Sequence, residues 1–218
     1  MRQYLIVVLL SLGLVACNSS NEDQEQKDTP SKVELAPSLD IGTYTVSIET
    51  DQELPMTGKY YSGIDGNKLL VFNDEQDRAS IIITYDAKNQ MWYTNQADKV
   101  TTIKHFDHVE EITGQKVNIA SLSGTYTLSL ANDVTIPLEI NSQGQMASQD
   151  ANCIFTGVIT GNLLVNTASY HLQNNKCDAM KNNTKGYLIV DEDYGPASFR
   201  LISDMTNSQD AWAFSSKS

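Results

Sequence analysis

The most reactive group of side chains in the sequence is His105-Phe106-Asp107-His108, which two glutamates follow. Imidazole nitrogens and carboxylate oxygens are common zinc ligands in proteins. On a helix, His105 and His108 would share one face at a spacing of three residues, with Asp107 nearby. These three residues are therefore a candidate metal site. A polar connecting segment in water is the alternative, because H-x-x-H is a short motif and the chain has only three histidines.

Two aromatic pairs, Tyr60-Tyr61 and Trp92-Tyr93, form a second candidate site. Neighbouring residues of a strand point to opposite faces of the sheet, so one member of each pair would pack inward and the other outward. Outward aromatic side chains can bind sugar rings or protein partners. Cross-strand packing inside the fold is the alternative interpretation.

Recognisable catalytic motifs are missing. The sequence contains no G-x-S-x-G, H-E-x-x-H or P-loop pattern, and we predict that the protein is not an enzyme. Residues 73–77 and 191–193 are rich in carboxylates that could bind Ca²⁺, but neither follows the spacing of an EF-hand loop. Both segments are better interpreted as solvated hairpin tips.

The N-terminus has the pattern of an export signal. One basic residue, Arg2, precedes the eleven-residue apolar run LIVVLLSLGLV at residues 5–15. This run is too short to cross a bilayer, which takes about 20 residues, but it suits the core of a signal peptide. The signal ends in Leu14-Val15-Ala16-Cys17.

This tetrapeptide resembles the lipobox of bacterial lipoproteins, in which aliphatic and small residues precede a cysteine. The resemblance implies removal of residues 1–16, a diacylglyceryl thioether on Cys17 and an acyl chain such as palmitate on its amine. Two or more acyl chains give stable attachment to a bilayer. Asn18 occupies the position where an aspartate often signals retention in the inner membrane. The resemblance therefore implies the outer membrane, facing the periplasm or the cell surface.

If Cys17 carries lipid, two of the three cysteines remain, Cys153 and Cys177. A pair of cysteines in an exported protein is expected to form a disulfide. Closing a loop of about 25 residues is worth roughly 3 kcal/mol in the chain-entropy model. Two free thiols or a metal pair are the alternatives, although neither cysteine lies in a C-x-x-C motif.

Strong acidity restricts the possible partners. The net charge is −12, and removal of residues 1–16 takes away Arg2 and leaves −13. Nucleic acid requires a positive field, so we predict no nucleic-acid binding. The charge also disfavours direct adhesion to anionic lipid. No cofactor is predicted apart from the covalent lipid on Cys17.

Residues 17–41 are predicted to be the lipidated cysteine and a disordered acidic tether. Residues 18–40 contain six acids, two lysines and no aromatic residue. Such a segment cannot bury enough apolar surface to offset its ordering entropy. A coil of this length reaches about 25–30 Å.

The rest of the chain predicts an all-β fold, an antiparallel sandwich or barrel. Residues 43–49 alternate Tyr44, Val46 and Ile48 with polar residues, as half-buried strands do. Other short strands, separated by turn residues, are predicted at 68–72, 79–85, 91–94, 125–130, 135–140, 153–159, 162–166, 169–173, 186–191, 198–203 and 211–215. The only helix candidate spans 105–114, with Val109 and Ile112 on one face.

An internal match suggests a duplication. GTYTVSI at 42–48 and GTYTLSL at 124–130 agree at five of seven positions. We therefore predict two related β modules, 42–104 and 124–218, with residues 105–123 as a connector and the disulfide in the second. A common strand pattern that occurs twice is the alternative. The second module loosely resembles two-cysteine β modules of uncharacterised bacterial lipoproteins.

These features predict a membrane-anchored lipoprotein of the bacterial envelope that acts as a non-catalytic binding or structural module. Its partners would be the bilayer, through Cys17, and an envelope protein or glycan. The alternative is an envelope enzyme or a metal-binding accessory protein that uses the His105/His108 segment.

Overall fold

The computed structural model describes residues 31–32, 34–35, 37–49, 55–95, 102–130, 134–173, 176–180, 183–203 and 210–216. The predicted signal peptide and Cys17 lie outside these residues. Among the described residues, no helix has the length and apolar character needed to cross a membrane.

Nine strands make up the first half of the fold: β1 (Ser31–Lys32), β2 (Glu34–Leu35), β3 (Gly42–Ile48), β4 (Met56–Ser62), β5 (Lys68–Asn73), β6 (Ala79–Asp86), β7 (Met91–Thr94), β8 (Thr102–Ile103) and β9 (His108–Ile112). Seven of them form one antiparallel sheet in the order β1-β7-β6-β5-β4-β3-β9. The short strands β2 and β8 pair in parallel beside it.

Eight strands make up the second half: β10 (Gly124–Ser129), β11 (Thr135–Ile140), β12 (Gln145–Asp150), β13 (Cys153–Gly161), β14 (Thr167–Gln173), β15 (Lys185–Ile189), β16 (Phe199–Ser203) and β17 (Asp210–Ser215). Each pairs antiparallel with the next, and β17 returns to pair with β10, so the sheet closes into a barrel. The predicted all-β fold is confirmed, with a barrel in one module and an open sheet in the other.

Alternation of apolar and polar residues builds the barrel wall. In β11, Ile136, Leu138 and Ile140 are buried while the residues between them are exposed. Side chains on a strand alternate between its two faces, so one face of the wall fills the interior. There the Tyr126 and Phe199 rings meet edge to face at 4.8 Å, within one continuous apolar cluster.

Both ends of the barrel carry buried caps. A 3₁₀ turn, Ile119–Leu122, precedes β10, and the Tyr126 hydroxyl donates to the Leu122 carbonyl oxygen at 2.8 Å. At the opposite end, the predicted Cys153–Cys177 disulfide is confirmed. It ties the start of β13 to the connection between β14 and β15, whose Met180 is buried in the barrel core.

One face of the seven-stranded sheet packs on the outside of the barrel. Tyr61, Leu69 and Ile82 of the sheet form one buried cluster with Ile189 and Ile202 of the barrel. The opposite face of the sheet carries a separate apolar cluster around Tyr60. Phe106, which follows β8, packs against this cluster. Each face of this sheet is therefore apolar.

The two modules share a local structure at the internal match. In β3, a Cβ on Gly42 would lie 3.1 Å from the hydroxyl oxygen of Tyr44, and in β10 one on Gly124 would lie 3.5 Å from that of Tyr126. In each module a tyrosine ring thus covers the glycine two residues before it. Strand β10 pairs with β17, and β3 pairs with β9, which lies in the predicted connector 105–123 and extends the first sheet beyond residue 104. The sequence match is thus repeated in the local structure, and the duplication itself stays a prediction.

Three sequence-based expectations are wrong. The helix candidate at 105–114 is instead strand β9, because its backbone pairs with β3. The predicted strand at 162–166 is a turn, because the Asn162 side chain accepts from the Leu164 amide and Asn166 has a positive φ of 60°. The disordered tether was predicted to extend to residue 41, but β1 and β2 lie within it and pair with β7 and β8.

Candidate functional site

A cleft of about 810 Å³ lies where the edge of the sheet meets the barrel wall. We call it the inter-module cleft. Its sheet side is lined by Asp65, Asn67, Thr84, Tyr85, Asp86, Ala87, Lys88 and Tyr93. Its barrel side is lined by Asn162, Leu163, Leu164, Ser169 and Tyr187. Its volume falls within the range of small-ligand sites, about 300–1,000 Å³.

Two linked turns shape the sheet side of the cleft. The Asn67 side chain donates to the Asp65 carboxylate at 2.6 Å and accepts from the Ala87 amide at 2.9 Å. In the second turn, the Asp86 carboxylate accepts from the Lys88 amide at 2.9 Å and from the Asn89 side chain at 2.6 Å. Hydrogen bonds from Asn89 lower the pKa of Asp86, and the bond from the Asn89 backbone amide has the largest effect. Its carboxylate therefore stays ionised at neutral pH and cannot serve as a general acid.

Asn162 organises the barrel side. Its side-chain oxygen accepts from the Thr167 hydroxyl at 2.9 Å, and its amide nitrogen lies 3.4 Å from the Ser169 hydroxyl. An isolated β-bridge between Gly63 and Leu164 joins the two modules beside the cleft. A Cβ at Gly63 would lie 2.8 Å from the Leu163 carbonyl oxygen, so the close approach of the two chains there requires glycine.

Each wall of the cleft presents a tyrosine beside a hydroxyl residue. On the sheet, Tyr93 of β7 lies directly opposite Thr84 of β6. On the barrel, Tyr187 of β15 lies directly opposite Ser169 of β14. Directly opposed residues of an antiparallel pair point to the same face. Both tyrosines are partly exposed, as is Tyr85, which also lines the cleft, so three aromatic groups are accessible to a ligand.

The predicted aromatic residues separate into two groups. Tyr60 and Tyr61 are fully buried, one on each face of the sheet, so their prediction as exposed binding residues is wrong. The two side chains point to opposite faces of the sheet, as expected, but both faces are covered by other apolar residues. Trp92 packs on Tyr85 with ring centroids 4.8 Å apart, on the face away from the barrel. Tyr93 alone among the four lines the cleft.

The predicted metal residues are spread along a loop and a strand. The His105 ring nitrogen Nε2 lies 3.1 Å from Asp107 Oδ1, and that of His108 lies 3.8 Å from Glu110 Oε2. Without a helix, His105 and His108 lose the shared face on which the prediction depended. No group of three or more His, Cys, Asp or Glu side chains suited to a metal occurs in the described part of the chain.

A second groove, of about 620 Å³, lies elsewhere along the boundary between the modules. The oxygen-rich turn at 73–77 borders it and has a structural contact: the Asn73 side chain accepts from Arg200 at 2.9 Å. The other oxygen-rich segment provides Asp191, whose buried Oδ2 lies 3.6 Å from the Lys59 ammonium. Both segments thus belong to the contact between the modules.

Most residues of the cleft were not anticipated from the sequence. Asn67 and Asn162 lie in turns whose composition predicts only a change of chain direction. Tyr187 lies in a predicted strand next to Leu188, which is buried in the barrel. Since neighbouring residues of a strand point to opposite faces, the Tyr187 side chain could be expected on the outside of the barrel. Its position opposite Tyr93 depends on the contact between the modules.

Comparison of the chain with protein-family models, curated proteins and solved structures finds no significant match.

Proposed function

We propose that this chain is a lipid-anchored lipoprotein of the bacterial envelope, most consistent with the outer membrane, that binds an envelope component in the inter-module cleft without catalysis. The observation that carries this proposal is the pairing of Tyr93 with Thr84 on one wall and of Tyr187 with Ser169 on the other. Sites that bind small ligands combine apolar and aromatic walls with a few well-placed polar groups.

The polar groups of the cleft support binding rather than catalysis. Asp65, Asp86 and Asn162 already hold the turns around them through hydrogen bonds. Side chains fixed in this way lose little freedom when a ligand arrives, which favours affinity. The lowered pKa of Asp86 keeps it negatively charged, so it can accept hydrogen bonds from a ligand.

The residues before β1 support an anchored position. The lipobox resemblance at residues 14–17 implies acylation of Cys17, and thirteen residues separate Cys17 from Ser31. Fully extended, they would span at most about 45 Å. Strand β1 pairs with β7 at Tyr93 and Thr94, so the chain from the proposed anchor joins the fold next to the cleft. A component close to the membrane surface is therefore within reach.

Photo-crosslinking in intact cells tests the proposal. A photoreactive phenylalanine derivative placed at Lys88, on the exposed rim of the cleft, should form a discrete adduct with an envelope component. The same group placed at Glu139, an exposed residue of β11, is the matched control and should give none. Equal labelling from both positions, or no adduct from position 88, would overturn the proposed binding role.

A further inference from the structure

Building on the proposed binding role, we infer that the inter-module cleft binds an uncharged glycan, with sugar rings packed on Tyr93 and Tyr187. The inference names the class of ligand for that site. It follows from three properties of the cleft: the chemistry of its walls, the fixed polar groups at its rim and its charge.

The walls match the two kinds of surface on a sugar ring. A pyranose has C–H faces that pack on aromatic rings and hydroxyl groups that form hydrogen bonds around its edge. Tyrosine presents an apolar ring with a polar tip. In the cleft, Tyr93 has the Thr84 hydroxyl residue beside it, and Tyr187 has Ser169 beside it. Each wall can therefore contact both the face and the edge of one ring.

The polar groups at the rim suit hydroxyl groups as partners. Hydroxyls both donate and accept, as do the amide side chains of Asn67 and Asn162. Each amide is held by neighbours within its own module: Asn67 by Asp65 and Ala87, and Asn162 by Leu164 and Thr167. Fixed amides recognise a rigid ring at lower entropic cost than mobile ones.

Charge favours an uncharged chain over an anionic one. The rim carries Asp65 and Asp86 against Lys88, and the whole protein has a net charge of −12. A polymer rich in phosphate or carboxylate would be repelled by this field. An apolar peptide would have to cover the charged side chains of Asp65, Asp86 and Lys88 without offering them hydrogen-bond partners, which is costly. A neutral glycan meets neither obstacle.

Titration with soluble oligosaccharides tests the inference. The mature, lipidated chain in detergent is titrated calorimetrically with tetrasaccharides of N-acetylglucosamine and of glucose, and with an anionic oligosaccharide of similar length. We expect saturable binding of at least one neutral tetrasaccharide, unchanged between low and high salt because no charges pair. Tyr93→Ala should weaken it about three- to tenfold. Tyr93→Phe should retain most of the affinity.

Two controls make the outcome decisive. Gln145→Ala, on the barrel wall away from the sheet, should leave the affinity unchanged. Tyr187→Ala should weaken binding as Tyr93→Ala does. Ser169→Trp fills the cleft from the barrel side and should abolish binding, which tests that wall even if Tyr187→Ala fails to fold. Binding of neither neutral tetrasaccharide, binding that Tyr93→Ala does not affect, or preference for the anionic oligosaccharide would each overturn the inference.

The two proposals fail in different ways. If position 88 still forms its discrete adduct in cells while neutral tetrasaccharides do not bind, the binding role stands and the glycan assignment is wrong. If that adduct proves to be a peptide or protein, the cleft is a protein-docking site and the glycan assignment is also wrong. If neither the adduct nor sugar binding occurs, both proposals are overturned.

Discussion

Arg200 and Asp210 lie diagonally across the last two strands of the barrel, where Arg200 is directly opposite Trp212, and they form a buried bidentate ion pair. The guanidinium nitrogen Nε lies 2.8 Å from Asp210 Oδ1, and a second guanidinium nitrogen lies 2.7 Å from Oδ2. Both residues also form hydrogen bonds with the sheet of the first module. Arg200 donates to the side chain of Asn73, and Asp210 accepts from the Ala79 amide at 2.8 Å. The barrel therefore holds the turn between β5 and β6, which borders the second groove between the modules.

Removing the arginine should destabilise the whole protein. Arg200→Met leaves the Asp210 carboxylate buried without its counter-charge, which costs about 3–5 kcal/mol. Urea unfolding measures this loss. Arg78→Met is a matched control, because Arg78 is only partly buried and donates to carbonyl oxygens, and it should cost about 1 kcal/mol. The double variant Arg200→Met/Asp210→Asn should recover part of the loss. Equal losses for the two arginine variants would contradict this assignment.

Two buried tyrosines should make the fold sensitive to alkaline pH. Burial raises the pKa of Tyr60 to about 12 and that of Tyr61 well above the ordinary value near 10. Because the folded pKa values exceed the unfolded ones, the stabilisation is complete below pH 10 and is lost as pH rises toward the folded values. The urea midpoint should therefore fall between about pH 10 and pH 12. Tyr61→Phe should reduce that slope, and Tyr93→Phe is the control. Identical slopes for both variants would show that burial of Tyr61 is not the cause.

Much of the fold could be predicted because its strands alternate. The residues of β11 show the pattern along their whole length, and that strand lies where it was expected. The segment at 105–114 shows the limit of this reasoning. Val109 and Ile112 are spaced as on a helix face, but β9 is an exposed strand whose pairing with β3 decides its conformation. Edge strands bury little, so their sequences carry a weak pattern.

The candidate site was harder to predict than the fold. Tyr93 and Tyr187 are almost a hundred residues apart in the sequence, and only the packing of the sheet on the barrel brings their strands to one cleft. The same packing buries Tyr61, which the local pattern allowed to be exposed. Arg200 gives no local signal, because an arginine in a strand normally points to solvent.

The disulfide should protect the cap at one end of the barrel. Cys177 and Met180 are buried in the barrel core, and the bond to Cys153 holds their loop in place. The double variant Cys153→Ala/Cys177→Ala should lose about 3 kcal/mol of stability. Met180 should then be oxidised by hydrogen peroxide, as exposed methionines are. Met146, buried within the same core, is an internal control and should stay protected. Mass spectrometry measures the oxidation of both methionines. Equal protection of Met180 with and without the disulfide would show that the bond does not hold the cap in place.

Zinc should not bind tightly at His105 and His108. His105 lies in a loop next to Asp107, while His108 begins a strand, so the two imidazoles lack the shared helical face on which the predicted metal site depended. Calorimetric titration of the mature chain with Zn²⁺ should give the same small heats as the variant His105→Ala/His108→Ala. Micromolar binding that this variant abolishes would instead favour the metal-binding accessory function.

The proposed anchor depends on a single sulfur atom, that of Cys17. Cys17→Ser removes the thiol that would carry the diacylglyceryl group, so the variant should not incorporate labelled palmitate and should leave the membrane fraction. Asn18→Asp is the matched control, since it keeps the thiol. By the lipoprotein resemblance, it should retain the label but move toward the inner membrane. Because two or three acyl chains hold a lipoprotein and one chain binds only marginally, loss of all of them should release the protein almost completely. If Cys17→Ser still sediments with membranes and incorporates palmitate, residues 14–17 are not a lipobox and the protein is attached in another way.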